Sequence, residues 1–132
     1  MDLAIDASAL IAVIANEPEK DALVELTEGA RLLAPPSVNW EIGNALSAML
    51  KRNRISVDQA THALAVYHQI PIRFADVELE DSIRIAAEHN IYAYDAYLLR
   101  CAVKYVVPLI SLDKNLLALA RNIGIKVIEV PK

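Results

Sequence analysis

MDLAIDASALIAVIA, residues 1–15, decides how the rest of the chain is read. LAI (3–5) is a short apolar run ending at Asp6, and an apolar helical pattern follows from about Ser8 to Ala15. A short strand that hands over to a helix across a single acid is the opening of a βα unit. Asn16, Glu17 and Pro18 break the pattern. Pro18 suits the first turn of a second helix over about 18–28, where a missing N–H costs nothing.

The alternation continues along the chain. Gly29 ends the second helix, and RLLA (31–34) reads as a strand closed by Pro35 and Pro36. A long helix over about 39–52 carries the stripe Ile42, Leu46, Met49 and Leu50. Ser56 caps a helix reaching about Gln69. IRFA (72–75) is a third strand, 78–88 is helical, and Asn90 is a stop signal. Another helix holds YAYDAYLL (92–99), followed by the strand PLIS (108–111). Asp113 opens a helix that stops at Gly124, and KVIEV (126–130) is a fifth strand. Short strands alternating with helices call for a three-layer α/β domain, an open parallel sheet with helices on both faces. At 132 residues the chain has the size of a single domain, 1–132.

Composition narrows the class. The apolar fraction is 55%, yet no apolar run reaches the ~18 residues of a membrane span. The segment MDLAIDASAL begins with an acid and lacks the basic start of a signal peptide, so a soluble, cytoplasmic protein is expected, with no membrane partner. Surplus apolar surface points to a homodimer or a tight partner. Cys101 stands alone and reads as a core residue. The three histidines show no zinc spacing. A net charge of −4 argues against nucleic-acid binding by bulk charge, and KRNR (51–54) reads as a solvated helix end.

Four acids fall at element junctions: Asp6, Glu41, Asp95 and Asp113. Each has a plain explanation as a cap or as a first-turn acid complementing the helix dipole. Asp6, Glu41 and Asp113 follow strands, so they should share the carboxyl edge of the sheet, where open α/β sheets bind ligands. Asp95 opens the helix feeding the fourth strand, which sets it at the opposite edge unless that helix lies across the sheet. In register it shares a face with Leu98, Leu99, Ala102, Val103 and Val106, so it should point inward. An inward carboxylate costs several kcal/mol unless it is paired or bound to a cation. Arg100 and Lys104 lie on the other side of that helix, so a divalent cation is a sensible counter-charge, and hard oxygen donors suit Mg²⁺ or Mn²⁺. Asp76 also follows a strand. It reads as a cap beside an exposed acidic turn of Glu78, Glu80 and Asp81.

DASAL (6–10), WEIGNAL (40–46), YDAYLL (94–99) and SLDKNL (111–116) resemble the four acidic motifs of PIN domains, in order and over nearly the whole chain. The likeness is greatest to VapC-type toxins of toxin–antitoxin pairs. It implies a five-stranded parallel sheet on which Asp6, Glu41, Asp95 and Asp113 converge as the catalytic acids. Asp6, Asp95 and Asp113 are then the metal ligands, and Ser111 is either a supporting hydroxyl or a strand-end hydroxyl that satisfies backbone near the Asp113 cap. It also implies a Mg²⁺- or Mn²⁺-dependent endoribonuclease, the toxin of a type II pair, with RNA as substrate and a cognate antitoxin as partner. Either Asp113 or Glu41 would orient the attacking water. Asn115 stands where some relatives carry a further acid, which favours one tight metal, with a second arriving with substrate. Ser8 reads as a helix-start cap and Asn44 as either a supporting donor or a surface amide. Trp40, Tyr92, Tyr94 and Tyr97 are expected in core or interface packing rather than stacked on bases. A PIN-like binding module without turnover and a nuclease acting on DNA are the alternatives. A haloacid-dehalogenase-type phosphatase fits poorly, because it needs an Asp where Ser8 stands.

Overall fold

The computed structural model describes residues 1–131. Strands β1 (Asp2–Ile5), β2 (Arg31–Ala34), β3 (Ile72–Phe74), β4 (Leu109–Ile110) and β5 (Val127–Ile128) alternate with seven helices. These are α1 (Ala7–Ile14), α2 (Lys20–Thr27), α3 (Val38–Lys51), α4 (Val57–Gln69), α5 (Leu79–His89), α6 (Ala93–Tyr105) and α7 (Lys114–Asn122). The strands form one parallel sheet in the order β3-β2-β1-β4-β5. The chain thus builds outward from β1 on one side and then returns to build on the other. The switch in strand order lies between β1 and β4, the place where such sheets open a crevice at their carboxyl edge.

Both faces of the sheet are covered, and the two-residue period of the strands shows how. Ile5, Ala34 and Ile110 point into a core shared with α1 to α4. Their neighbours Ala4 and Leu109 point to the other face, against Leu98, Leu99 and Ala102 of α6 and Leu116, Leu117 and Ala120 of α7. A strand buried on both faces has no polar alternation, and LAI, RLLA and PLIS accordingly read as continuous apolar runs.

The breakers act through backbone geometry. Asn90 ends α5 in the left-handed region at φ 52°, and Gly124 lies past α7 at φ 89°. Ser56 caps α4 in a full capping box. Its hydroxyl accepts from the Gln59 N–H at 3.1 Å, and the Gln59 side chain accepts from the Ser56 N–H at 2.8 Å. Pro18 lies in a turn ahead of α2, not inside it, because the helix begins at Lys20.

The stripe expected on α6 is shorter than its spacing implies. Leu98, Leu99 and Ala102 are buried, but Val103 is exposed and Val106 ends the helix as an exposed left-handed residue. The helix overruns the sheet at that end. Leu99, fully buried beneath it, anchors the helix that carries Asp95. Leu99→Ala is expected to cost about 2–5 kcal/mol, read as a lower urea midpoint at unchanged slope. Cys101 is buried against Leu33 and Ala75, and desolvation pushes its thiol up to about 11. It is a neutral core residue.

Asp76 is not a cap. Glu78 is the residue preceding α5, and it is no free member of an acidic turn. It accepts from Lys104 Nζ and from Arg100 Nη2 at 2.9 Å, contacts that hold its carboxyl down at about 2. Lys104 Nζ and the Tyr105 hydroxyl donate to the Asp76 carbonyl at 3.2 and 2.8 Å. The basic side of α6 is therefore spent fastening α5 and its lead-in.

Candidate metal centre

Asp6 ends β1 and is the N-cap of α1, accepting from the Ala9 N–H at 3.0 Å. Asp113 follows β4 and is the N-cap of α7, accepting from the Leu116 N–H at 3.1 Å. Glu41 lies in the first turn of α3. Asp95 lies in the first turn of α6, whose N-cap is Tyr92, so Asp95 complements the helix dipole and is not the cap. Each acid sits at the positive end of a different helix, an arrangement that tolerates negative charge.

Electrostatic contacts link all four in one cluster. Glu41 feels the charges of Asp6 and Asp95, Asp95 feels Asp113, and so does Asp6. Asp95 therefore shares the carboxyl edge, a placing that simple connectivity leaves open and that the PIN resemblance implies. The reason is simple: α6 hands over to β4 at that strand's amino end, so a helix running back along the sheet must begin at the carboxyl end. Asp95 is half-buried, not fully inward.

Desolvation is the largest effect on three of these groups. Burial raises the carboxyls of Asp6 and Asp95 above the ordinary aspartate value, and Glu41 is pushed up to about 7. Asp6 is 7% exposed, and hydrogen bonds from Ser111, Ala9 and Ser8 offset its burial only in part. Asp113 is exposed. Among the described residues, no ion pair involves any of the four acids. The donor set thus fits a hard divalent cation, being all carboxylate and hydroxyl oxygen without a cationic partner. As the side chains stand, no three His, Cys, Asp or Glu side chains among the described residues are gathered tightly enough to hold an ion.

Ser111 is 1% exposed, and its hydroxyl donates to Asp6 Oδ2 at 2.5 Å while accepting from the Asp113 N–H at 2.9 Å. Ser8 is not the cap of α1, because Asp6 holds that position. The Ser8 hydroxyl contacts both Asp6 carboxylate oxygens at 2.8 Å and accepts from the Leu112 N–H at 3.1 Å. Its partner lies 104 residues away, so only the DxS spacing in the sequence hinted at this role. Asn44 is exposed on α3. Trp40 and Tyr92 are 68% and 88% exposed, so neither packs in the core. Tyr94 stands edge-on to Tyr97 with ring centroids 6.3 Å apart.

An open parallel α/β domain with four acids around its switch point defines a class, and the comparisons agree with it. The PIN domain family model matches residues 3–122, and the chain belongs to the PIN domain family. Among solved structures, a Pyrobaculum aerophilum protein is similar at 25% identity, with 96% of this chain and 83% of that one covered and a TM-score of 0.73. VapC20 of Mycobacterium tuberculosis, a sarcin–ricin loop cleaving toxin, aligns at 14% identity over 88% of this chain and 93% of its own, with a TM-score of 0.64. A toxin–antitoxin complex from Klebsiella pneumoniae aligns at 16% identity over 98% of both chains, with a TM-score of 0.64. No curated protein matches the chain.

Proposed function

We propose that the chain is a metal-dependent endoribonuclease and the toxin of a type II toxin–antitoxin pair. The observation that carries this reading is the convergence of Asp6, Glu41, Asp95 and Asp113 at the switch point, mutually repelling and paired with no cation among the described residues. Clustered like charges are costly, and such a cluster makes sense where a cation completes it. Membership of the PIN family and the likeness to toxin structures support the reading.

Asp6, Asp95 and Asp113 would hold Mg²⁺ or Mn²⁺. When bound, the ion supplies a lowered pKa for water and neutralises charge on the phosphoryl group. Glu41, half-buried and pushed up to about 7, is poised to take a proton near neutral pH and suits the water-orienting role. Asp113 is tied to Leu116 as a cap and suits that role less. The substrate is RNA with an accessible single-stranded segment, the form whose bases proteins read most directly.

Cleavage of structured RNA by wild type and Asp95→Asn, each in Mg²⁺, Mn²⁺ and EDTA, tests the nuclease. Wild type should cut with either metal and stop in EDTA, and Asp95→Asn should lose the activity. Cleavage that persists in both EDTA and the variant would sink the proposal. Growth arrest on expression, relieved by a co-expressed antitoxin, tests the toxin role. Exposed Trp40, Tyr92, Val57 and Val106 leave apolar surface open, which supports a homodimer or an antitoxin-bound state. No helix among the described residues is long and apolar enough to cross a membrane.

A further inference from the structure

Asp6 is a crowded carboxylate. Oδ1 accepts from the Ala9 N–H and faces the Ser8 hydroxyl, while Oδ2 accepts from Ser111 and faces the same Ser8 hydroxyl. A carboxylate offers about four lone-pair directions, so its acceptor capacity is nearly filled. Three donors stand on about four directions, so a cation that approaches from the side of the hydroxyls must displace one of them. The Ala9 N–H is fixed by the helix, which leaves the two hydroxyls.

The two hydroxyls are not equivalent. Each has one proton to give. Ser111 Oγ has Asp6 Oδ2 at 2.5 Å. Ser8 Oγ has a second acceptor, because Ser111 Oγ lies 3.4 Å away. Its remaining contact is the Leu112 N–H, in the loop between β4 and α7 that delivers Asp113.

We infer that Ser8 is a positioning residue that couples the two loops of the metal centre, its O–H turning its hydrogen bond from Asp6 to Ser111 Oγ when a cation occupies Asp6. This rests on reading Asp6 as a cation ligand. Donating to Asp6, Ser8 steadies the crowded carboxylate. Donating to Ser111, Ser8 frees an Asp6 lone pair and still accepts from Leu112. The loop bearing Asp113 is thereby held in place in both states. Hydroxyls need only rotate for this exchange, so no backbone shift accompanies it.

Titration calorimetry with Mn²⁺ alone tests the coupling on wild type, Ser8→Ala and Ser8→Thr, together with hydrogen exchange at the Leu112 amide. Ser8→Ala should weaken Mn²⁺ binding by about 10-fold, the scale of a lost supporting contact. It should also speed Leu112 exchange, and Ser8→Thr, which keeps the hydroxyl, should recover both. The exchange readout separates the coupling from a general loss of stability, since amides in the β4 core should keep their protection. Mn²⁺ affinity equal to wild type in Ser8→Ala overturns the inference, as does a wild type that binds no Mn²⁺. Weakened Mn²⁺ binding in a protein that proves not to cleave RNA supports the coupling while sinking the nuclease reading.

Discussion

Asp6→Asn should abolish RNA cleavage while leaving the fold as stable at pH 7 as wild type, or more so. The two halves of this expectation have one cause. Asp6 is buried, its carboxyl is raised by desolvation, and the Asp113 charge raises it further. Keeping it ionised costs folding energy that a neutral amide does not. The amide oxygen can still accept from the Ala9 N–H, and a serine hydroxyl can turn to accept from the amide NH₂. The cap of α1 survives. A charge lost from the ligand set does not, and its cost in turnover should exceed the ~10–100-fold typical of a supporting residue. Cleavage assays beside urea denaturation in EDTA check both halves. A variant that keeps its activity sinks the ligand role. One that unfolds by several kcal/mol shows instead that the carboxylate is structural.

Much of this arrangement was legible in the chain itself. Alternating runs such as LAI and PLIS carried the layer architecture, because a strand buried on both faces must be apolar throughout. Ser56, Asn90 and Asp113 marked helix ends through local chemistry that tertiary contacts do not override. The edge at which Asp95 lies stays open in the local pattern, which says only that a helix feeds β4. The parallel pairing of β1 with β4 fixes the direction of that helix. Of the cap and first-turn readings, Asp95 takes the second, because the helix begins two residues earlier, at Ala93, after a tyrosine that offers no side-chain cap.

Other misses come from contacts across long sequence separations. Glu78 looked like part of a solvated acidic turn until Arg100 and Lys104, more than twenty residues on, closed over it. Ser8 looks like a local cap because its partners, Ser111 and Leu112, both come from the loop after β4. Of the core or interface packing expected for Trp40 and Tyr92, exposure removes the core, and they sit beside Glu41 and near Asp95 at helix starts that face outward. Sequence periodicity assigns a face to each residue within an element. It does not say whether another element arrives to cover that face.

In the cation-free protein, stability should fall as pH rises from about 4.5 to 7, and Glu41→Gln should remove much of that slope. Glu41 has an ordinary value of 4.5 and is pushed up to about 7 in the fold by desolvation, then by the charges of Asp6 and Asp95. Between those values the folded chain holds a proton that the unfolded chain has released. Stability changes with pH in proportion to protons bound unfolded minus protons bound folded, so this difference makes the slope negative. The contribution is fully present below about 4.5 and lost as pH passes about 7. It amounts to roughly 2–3 kcal/mol at about 1.4 kcal/mol per unit, discounted for partial exposure. Asp6 and Asp95 act in the same direction, because their carboxyls are also raised. Glu78 acts in the opposite direction but below the window, since its carboxyl is held at about 2. Mg²⁺ should cancel the loss, because a cation replaces the proton as the charge that offsets the cluster and binds only the folded state. Urea midpoints from pH 5 to 8, in EDTA and in Mg²⁺, measure each part. An unchanged slope in Glu41→Gln would show that Glu41 is not coupled to the cluster. A slope that Mg²⁺ leaves untouched would show that the acids are gathered for something other than a cation.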